Sequence, residues 1–195
     1  MLNFVCLNNR KIFNMADITI NGLTFEPHIT RDEIDAQVQR VASEIARDCT
    51  TPNPLLLCVL NGAFIFAADL IRALNMPRAE ITFIRFKSYE GTSSTGTVKE
   101  IMGLNQSIEG REIIIVEDIV DTGITSLQLR KMLLEQKPAS VKMATLLFKP
   151  ESLKQGTPPE YVGFSIPSKF IIGYGLDLDE AVRGLPEIYI LKENN

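Results

Sequence analysis

Two adjacent acidic residues follow a short apolar run near the middle of the chain. The run at 113–116 consists of three isoleucines and a valine, which is typical of a buried parallel strand. Glu117 and Asp118 come directly after it, and ligands of open α/β sheets bind outside the carboxyl ends of the strands. A pair of carboxylates at that position suits the vicinal hydroxyl groups of a sugar or a divalent cation.

The turn after these acids has the residues of a phosphate-binding loop. A third acid, Asp121, comes first, and Thr122 and Thr125 then offer hydroxyl donors around Gly123, whose small size lets the backbone approach an anion. An amphipathic segment begins at Ser126. Its first turn would present free N–H groups and the positive end of the helix dipole. Acids for a ribose beside a cradle for its phosphate predict a phosphoribosyl site.

The composition limits what the rest of the chain can do. A length of 195 residues suits a single domain, and a hydrophobic content of 45% supplies a sizeable core. A net charge of −4 without a Lys/Arg run argues against a nucleic-acid partner. No apolar run approaches the roughly 20 residues of a membrane helix, so we expect no membrane partner. Three cysteines without metal-ligand spacing favour a reducing, cytoplasmic compartment.

The start of the chain is predicted to stand apart from the domain. Its apolar run precedes Arg10 and Lys11, which is the wrong order for a signal peptide. Met15 is a second candidate start. We therefore treat residues 1–14 as a candidate disordered extension and residues 15–195 as one domain.

The hydrophobic periodicity predicts alternating strands and helices. A capping box of Thr30 and Glu33 opens a helix over 30–47, a second helix ends near 74, and a third ends near 136. Residues 88–100 are small and polar, which predicts a mobile loop. The predicted strands are 55–60, 80–86, 113–117, 141–148, 161–166, 170–174 and 187–191. The last three are short, and we expect them to form a small hood built mainly from residues 150–195.

The stretch Val116-Glu117-Asp118-Ile119-Val120-Asp121-Thr122-Gly123 closely resembles the phosphoribosyl-diphosphate (PRPP) loop of type I phosphoribosyltransferases, in the form found in the hypoxanthine-guanine branch. The resemblance covers most of residues 25–192. It implies the α/β fold of that family, a central and mainly parallel sheet flanked by helices. It also implies that Glu117 and Asp118 hold the ribose hydroxyls and that Asp121 is the catalytic general base. The residues that would grip the 5′-phosphate are Thr122, Gly123, Ile124 and Thr125.

Two other loops extend the resemblance. Leu60-Asn61-Gly62 matches the family's pyrophosphate-binding loop, which implies a cis peptide bond between Leu60 and Asn61. Many relatives have Lys or Arg in place of Asn61, so we expect backbone contacts there rather than a strong side-chain role. Ser88 and Tyr89 begin a stretch that resembles the flexible lid, which would exclude water from the reacting ribose.

The purine-binding residues are implied by the last part of the resemblance. Lys149 would donate a hydrogen bond to the exocyclic oxygen of a 6-oxopurine. In the segment that begins with Lys169, Phe170 would stack on the base and the backbone of Ile171 would read its edge.

The implied cofactor is Mg²⁺, which would carry the pyrophosphate. Asp177 is its implied ligand in the hood, with Glu117 and Asp118 as further candidates. Arg183 matches the family arginine that meets the pyrophosphate, where its planar fork suits two oxygens at once.

Together these features predict an enzyme of purine salvage. It would transfer 5-phosphoribosyl from PRPP to hypoxanthine and guanine, giving IMP, GMP and pyrophosphate. Two alternatives remain open: a transferase that prefers xanthine, and a regulator that senses PRPP without catalysis. The family implies a homodimer or homotetramer. The only histidine, His28, has no partner triad, so covalent catalysis is not expected.

Overall fold

Two β-sheets of different size build the fold. The structure is a computed structural model that describes residues 16–87, 99–102, 104 and 106–192. In chain order the elements are β1 (Ile18–Ile20), β2 (Leu23–Ile29), α1 (Arg31–Asp48), β3 (Leu55–Leu60), α2 (Phe64–Ala73), β4 (Glu80–Lys87), β5 (Lys99–Met102), β6 (Glu112–Val120), α3 (Ile124–Leu134), β7 (Ser140–Phe148), the 3-10 turn Pro150–Ser152, β8 (Tyr161–Ser165), β9 (Ile171–Ile172) and β10 (Ile188–Leu191).

The larger sheet has the strand order β5-β4-β3-β6-β7-β8. Every neighbouring pair from β4 to β8 is parallel, and only β5 runs antiparallel at its edge. The predicted α/β fold with a mainly parallel sheet is therefore confirmed. Because β3, β6 and β7 are central and parallel, their carboxyl ends meet at one edge of the sheet.

Helices cover both faces of this sheet. Alternate strand residues such as Cys58 and Val116 pack with α1 and α2, whereas Leu57 and Ile115 pack with α3 on the opposite face. Burial on both sides explains why the strands read as continuous apolar runs. Cys58 is fully buried, and its burial raises the pKa of the thiol to about 12.

The smaller sheet has the order β1-β2-β10-β9 and takes strands from both ends of the described chain. This corrects the predicted hood in two ways. β8 pairs in parallel with β7 and so belongs to the larger sheet. The hairpin β1–β2 was not predicted, although its turn residues Asn21 and Gly22 have φ of 49° and 79°, the conformation that makes Asn-Gly a strong hairpin signal.

Several boundaries differ from the predictions by a few residues. The capping box is present, with Thr30 Oγ1 accepting from the amide of Glu33 at 3.2 Å. α3 begins at Ile124, before Ser126, and β6 continues to Val120, so the paired acids lie inside the strand. Residues 88–98 of the predicted lid and the predicted extension 1–14 lie outside the described residues, while the last two residues of the predicted loop belong to β5.

None of the helices in the described part of the chain has the length and apolar character needed to cross a membrane.

Candidate active site

The predicted site residues gather at the carboxyl ends of β3, β6 and β7. Gly62 follows β3, Asp121 follows β6 and Lys149 follows β7. The backbone ties the last two ends together, because the amide of Lys149 donates to the carbonyl of Val120 at 2.9 Å. Three loops that are far apart in sequence thus lie at the same edge of the sheet, where open α/β sheets have their ligand-binding crevice.

The loop after β6 leads directly into the N-terminus of α3. Gly123 is the N-cap of α3, has φ of +79° and carries no side-chain cap. The first intrahelical hydrogen bond runs from Leu127 N–H to Gly123 O at 2.9 Å, so the amides of residues 124–126 are directed at whatever lies beyond the helix end. Ile124 and Thr125 are exposed there.

Close packing explains why this loop requires glycine. A Cβ on Gly123 would lie 2.1 Å from the carbonyl oxygen of Gln155. The amides of Lys154 and Gln155 both donate to the carbonyl of Thr122, at 3.0 and 3.2 Å. The segment after β7 therefore packs against this loop and fixes its position.

Lys149 and Asp121 form an ion pair that was not predicted. Lys149 Nζ lies 3.1 Å from Asp121 Oδ2. The lysine side chain is only 11% exposed, whereas the aspartate side chain is 45% exposed. A buried ammonium needs such a partner, and the pair presents a donor and an acceptor side by side to the crevice.

Glu117 and Asp118 have raised pKa values. Burial is the main cause for both carboxyls, and repulsion by Asp118 raises the pKa of Glu117 further. A hydrogen bond between the two side chains raises the pKa of Glu117 and lowers that of Asp118. The amide of Ile119 also donates to Asp118 Oδ1 at 2.8 Å. Glu117 is therefore the member of the pair that holds a proton most readily, which suits a partner with hydroxyl groups.

The loop after β3 contacts Asp118 and also the hood. From here on, the hood means the smaller sheet together with residues 173–187 between β9 and β10. The peptide bond between Leu60 and Asn61 is cis, as predicted. A Cβ on Gly62 would lie 1.5 Å from Asp118 Oδ2, and a Cβ on Gly175 would lie 2.1 Å from the carbonyl oxygen of Gly62. Glycine is therefore required at position 62 for the loop to pack against Asp118, and at position 175 for the hood to pack against the loop. The pKa of Glu180 is lowered mainly by Arg183, with a smaller contribution from the side chain of Asn61.

The hood places Arg183 beside Asp177. Arg183 Nη2 lies 2.9 Å from Asp177 Oδ1 and 2.8 Å from Glu180 Oε2, and its Nη1 donates to the carbonyl of Gly175 at 2.9 Å. In the described residues no three acidic, histidine or cysteine side chains converge as a metal cage. Asp177 is thus not joined by Glu117 and Asp118 in one ligand set.

Phe170 and Ile171 lie at the open edge of the smaller sheet. Phe170 is 46% exposed, and its ring centroid is 6.1 Å from that of the fully buried Phe25, at an interplanar angle of 50°. This support from β2 was missed because sequence periodicity does not indicate long-range ring contacts. Leu191 N–H donates to Phe170 O at 2.8 Å and Ile171 pairs with Ile190, so by antiparallel alternation the polar backbone groups of Ile171 face away from β10.

The remaining predicted residues have simpler positions. Lys169 is exposed in the segment before β9, and its amide donates to the carbonyl of Pro167 at 2.8 Å. His28 is exposed on β2. Ser88 and Tyr89 lie outside the described residues.

Comparison with known proteins explains this arrangement. Residues 30–179 match the phosphoribosyl transferase domain family. The chain belongs to the phosphoribosyltransferase family.

Relatives and solved structures extend this family assignment over most of the chain. A hypoxanthine-guanine phosphoribosyltransferase from Streptococcus thermophilus is 41% identical over 165 residues, covering 84% of this chain and 91% of the relative. A hypoxanthine-guanine-xanthine phosphoribosyltransferase from Tritrichomonas foetus is also 41% identical, with 84% and 90% covered. A crystal structure of a hypoxanthine-guanine phosphoribosyltransferase from Bacillus anthracis superposes with a TM-score of 0.81 at 39% identity, covering 86% of this chain and 98% of that one.

Proposed function

We propose that this phosphoribosyltransferase transfers 5-phosphoribosyl from PRPP to hypoxanthine and guanine, giving IMP, GMP and pyrophosphate. The observation that carries the proposal is the 3.1 Å contact between Lys149 Nζ and Asp121 Oδ2. A 6-oxopurine has an acceptor, O6, beside N7 on one edge. The ammonium would donate to O6 while the carboxylate accepts the proton of the neighbouring ring nitrogen.

The same contact predicts which bases are rejected. Adenine carries an amino group in place of O6. The Lys149 ammonium and this amino group are both hydrogen-bond donors, so no hydrogen bond would form between them. Burial of the lysine side chain leaves little room for water to relieve that mismatch. Phe170, with its exposed ring supported by Phe25, would stack on the base, and the backbone of Ile171 would bind its edge. Lys169 would contribute to this purine-binding segment.

The reaction breaks the bond between C1 of the ribose and the pyrophosphate oxygen and forms a bond from C1 to a purine ring nitrogen. As that bond forms, Asp121 would take the proton from the other imidazole nitrogen, the one beside O6, as general base. Glu117 and Asp118 would bind the ribose hydroxyls, with Asp118 placing negative charge near the developing oxocarbenium ion. The amides at the start of α3 would bind the 5′-phosphate together with Thr122 and Thr125.

The pyrophosphate would lie between the loop of Leu60, Asn61 and Gly62 and the hood. Arg183 would offer its planar donors to the pyrophosphate oxygens. The side chain of Asp177, at 33% exposure, fits a Mg²⁺ that is bound mainly by substrate phosphates, because Mg²⁺ commonly takes only one or two protein carboxylates in such sites. Mg²⁺ bound there would neutralise the leaving group.

We further propose a cytoplasmic homodimer or homotetramer, with no nucleic acid as partner. The large exposed side chains of Phe64 and Phe83, at 43% and 41% exposure, supply apolar surface that assembly would cover. Sedimentation equilibrium tests this part of the proposal, and a monomer at micromolar concentration would contradict it.

Replacement of Asp121 by Asn separates an enzyme from a PRPP sensor. Loss of a general base lowers turnover by about 10²- to 10⁴-fold, so kcat for IMP formation should fall by that factor while PRPP still binds. Isothermal titration with PRPP and Mg²⁺ measures the binding, and a coupled assay measures the turnover. A wild-type protein that binds PRPP but turns over no purine, xanthine included, would favour the sensor.

A further inference from the structure

Tyr174 is a bulky residue in an uncommon backbone conformation. Its φ is +48°, between Gly173 at +96° and Gly175 at +103°. Non-glycine residues with positive φ are uncommon and are strained when large, so surrounding contacts must hold them. Tyr174 lies between the predicted base-binding residues Phe170 and Ile171 and the predicted metal ligand Asp177. Nothing in the proposed mechanism uses its side chain.

A hydrogen bond to α2 supplies the holding contact. The Tyr174 side chain is 2% exposed, and its hydroxyl donates to Asp69 Oδ2 at 2.5 Å. Burial, with the hydrogen bond to Asp69, raises the pKa of the phenol, which keeps it a donor. The other oxygen of Asp69 pairs with Arg72. The hood is thereby fastened to the helix that begins just after the pyrophosphate loop.

The residue next to Tyr174 packs closely against the pyrophosphate loop. Gly175 packs on the carbonyl of Gly62, where a Cβ would lie only 2.1 Å from the oxygen. The amide of Gly175 donates to Arg183 O at 2.9 Å, and Arg183 Nη1 donates back to Gly175 O at 2.9 Å. A shift of Tyr174 would therefore move Gly175 away from the loop and carry Arg183 with it.

We infer that Tyr174 and Asp69 are a positioning pair for the diphosphate of PRPP. Their hydrogen bond sets the distance between the pyrophosphate loop at Gly62 and the hood residues Asp177 and Arg183. Neither side chain of the pair touches substrate. The inference rests on the proposed function for the identity of the ligand.

The test compares Tyr174→Phe with Tyr161→Phe. Both variants remove one buried tyrosine hydroxyl that donates to an aspartate, since Tyr161 OH lies 3.2 Å from Asp48 Oδ2 on α1. Tyr161 begins β8, at the end of the sheet away from the site. We expect Tyr174→Phe to raise the Kd for PRPP with Mg²⁺ about tenfold, the scale of one lost hydrogen bond to a charged group, and Tyr161→Phe to leave it within about twofold.

Two further readouts distinguish positioning from general loss of structure. Asp69→Asn keeps an oxygen acceptor, so its Kd for PRPP should stay within about threefold of the wild type. The KM for hypoxanthine at saturating PRPP should not change in Tyr174→Phe. The inference fails if Tyr174→Phe binds PRPP like the wild type, if Tyr161→Phe weakens binding equally, or if Asp69→Asn loses as much as Tyr174→Phe.

The same titrations separate this inference from the proposed function. Wild-type protein that binds PRPP but makes no nucleotide would overturn the transferase activity, while the ratio of Kd values would still decide the role of Tyr174. Wild-type protein that does not bind PRPP would overturn both.

Discussion

Replacing Lys149 with Met removes the ammonium group and keeps most of the volume of the side chain. The proposed contact from Lys149 to O6 is a hydrogen bond from a charged donor. Such bonds contribute about 1.5–3 kcal/mol. At about 1.4 kcal/mol per tenfold in rate, kcat/KM for hypoxanthine should fall about 10- to 150-fold.

The unequal burial of the Lys149–Asp121 pair predicts unequal effects on stability. Lys149→Met leaves Asp121, whose side chain is 45% exposed, to be solvated by water. Asp121→Asn instead leaves the 11% exposed Lys149 without its counter-charge. Asp121→Asn should therefore lower the free energy of unfolding. Because solvent already screens the exposed half of the pair, we expect this loss to be about 1–2 kcal/mol rather than the full penalty of a buried pair. The melting temperature should then fall by about 2–8 °C in Asp121→Asn and by about 2 °C or less in Lys149→Met.

The assay is initial-rate pyrophosphate release at saturating PRPP, with thermal melts on the same preparations. Lys142→Met is a matched control, because it removes a charge from the same strand β7, where Lys142 Nζ contacts Tyr161 OH at 3.2 Å. The control should leave kcat/KM unchanged. An unchanged kcat/KM for hypoxanthine in Lys149→Met would refute the proposed contact to O6.

Three other substitutions probe the ribose, phosphate and base subsites. Glu117 has a pKa raised well above 4.5, mainly by burial. Its contribution to wild-type stability is therefore complete below pH 4.5 and is lost as the pH rises through the folded-state value. The melting temperature of Glu117→Gln should therefore increasingly exceed that of the wild type as the pH rises above 4.5. Gly123→Ala should raise the KM for PRPP at least tenfold, because its Cβ would lie 2.1 Å from a carbonyl oxygen, whereas Gly110→Ala, at φ of +70° with no atom within 4 Å, should leave it unchanged. Phe170→Leu should raise the KM for hypoxanthine about 5- to 100-fold through lost stacking, with little change in melting temperature. Phe25→Leu, at a fully buried position, should raise this KM and also lower the melting temperature.

Each of these expectations has a contrary result. If the difference in melting temperature between Glu117→Gln and the wild type is the same at every pH, the raised pKa of Glu117 is refuted. Equal effects of Gly123→Ala and Gly110→Ala on the KM for PRPP would attribute the loss to backbone strain alone. An unchanged KM for hypoxanthine in Phe170→Leu would remove Phe170 from the base site.

Local sequence patterns predicted the parts of the fold that depend on local physics. The run at 113–116 is buried on both faces and is therefore uniformly apolar, and Thr30 and Glu33 cap α1 through contacts three residues apart. The glycine at position 123 likewise indicated a turn before a helix, and α3 begins directly after it. The phosphate-binding role of this loop stays a prediction.

Contacts between distant segments could not be predicted in the same way. The hood prediction was wrong about β8, because a short strand that joins a sheet edge looks the same in sequence as one that joins a second sheet. Lys149 and Asp121 are 28 residues apart, and only the parallel pairing of β6 with β7 brings them together. Nor does any pattern reveal the support of Phe170 by Phe25 or the anchoring of Tyr174 on α2. The hairpin β1–β2 is different, because its turn signal, Asn21-Gly22, is present in the sequence and is sufficient to predict it.

Pyrophosphate release from PRPP and Mg²⁺, measured in parallel with hypoxanthine, guanine, xanthine, adenine and uracil, tests the central claim most directly. The geometry of Lys149 and Asp121 predicts turnover with hypoxanthine and guanine and none with adenine or uracil, and the xanthine reaction defines the limit of the 6-oxopurine range. Turnover with adenine at a rate comparable to hypoxanthine would contradict the assigned role of Lys149, and no release with any base would contradict the proposed reaction itself.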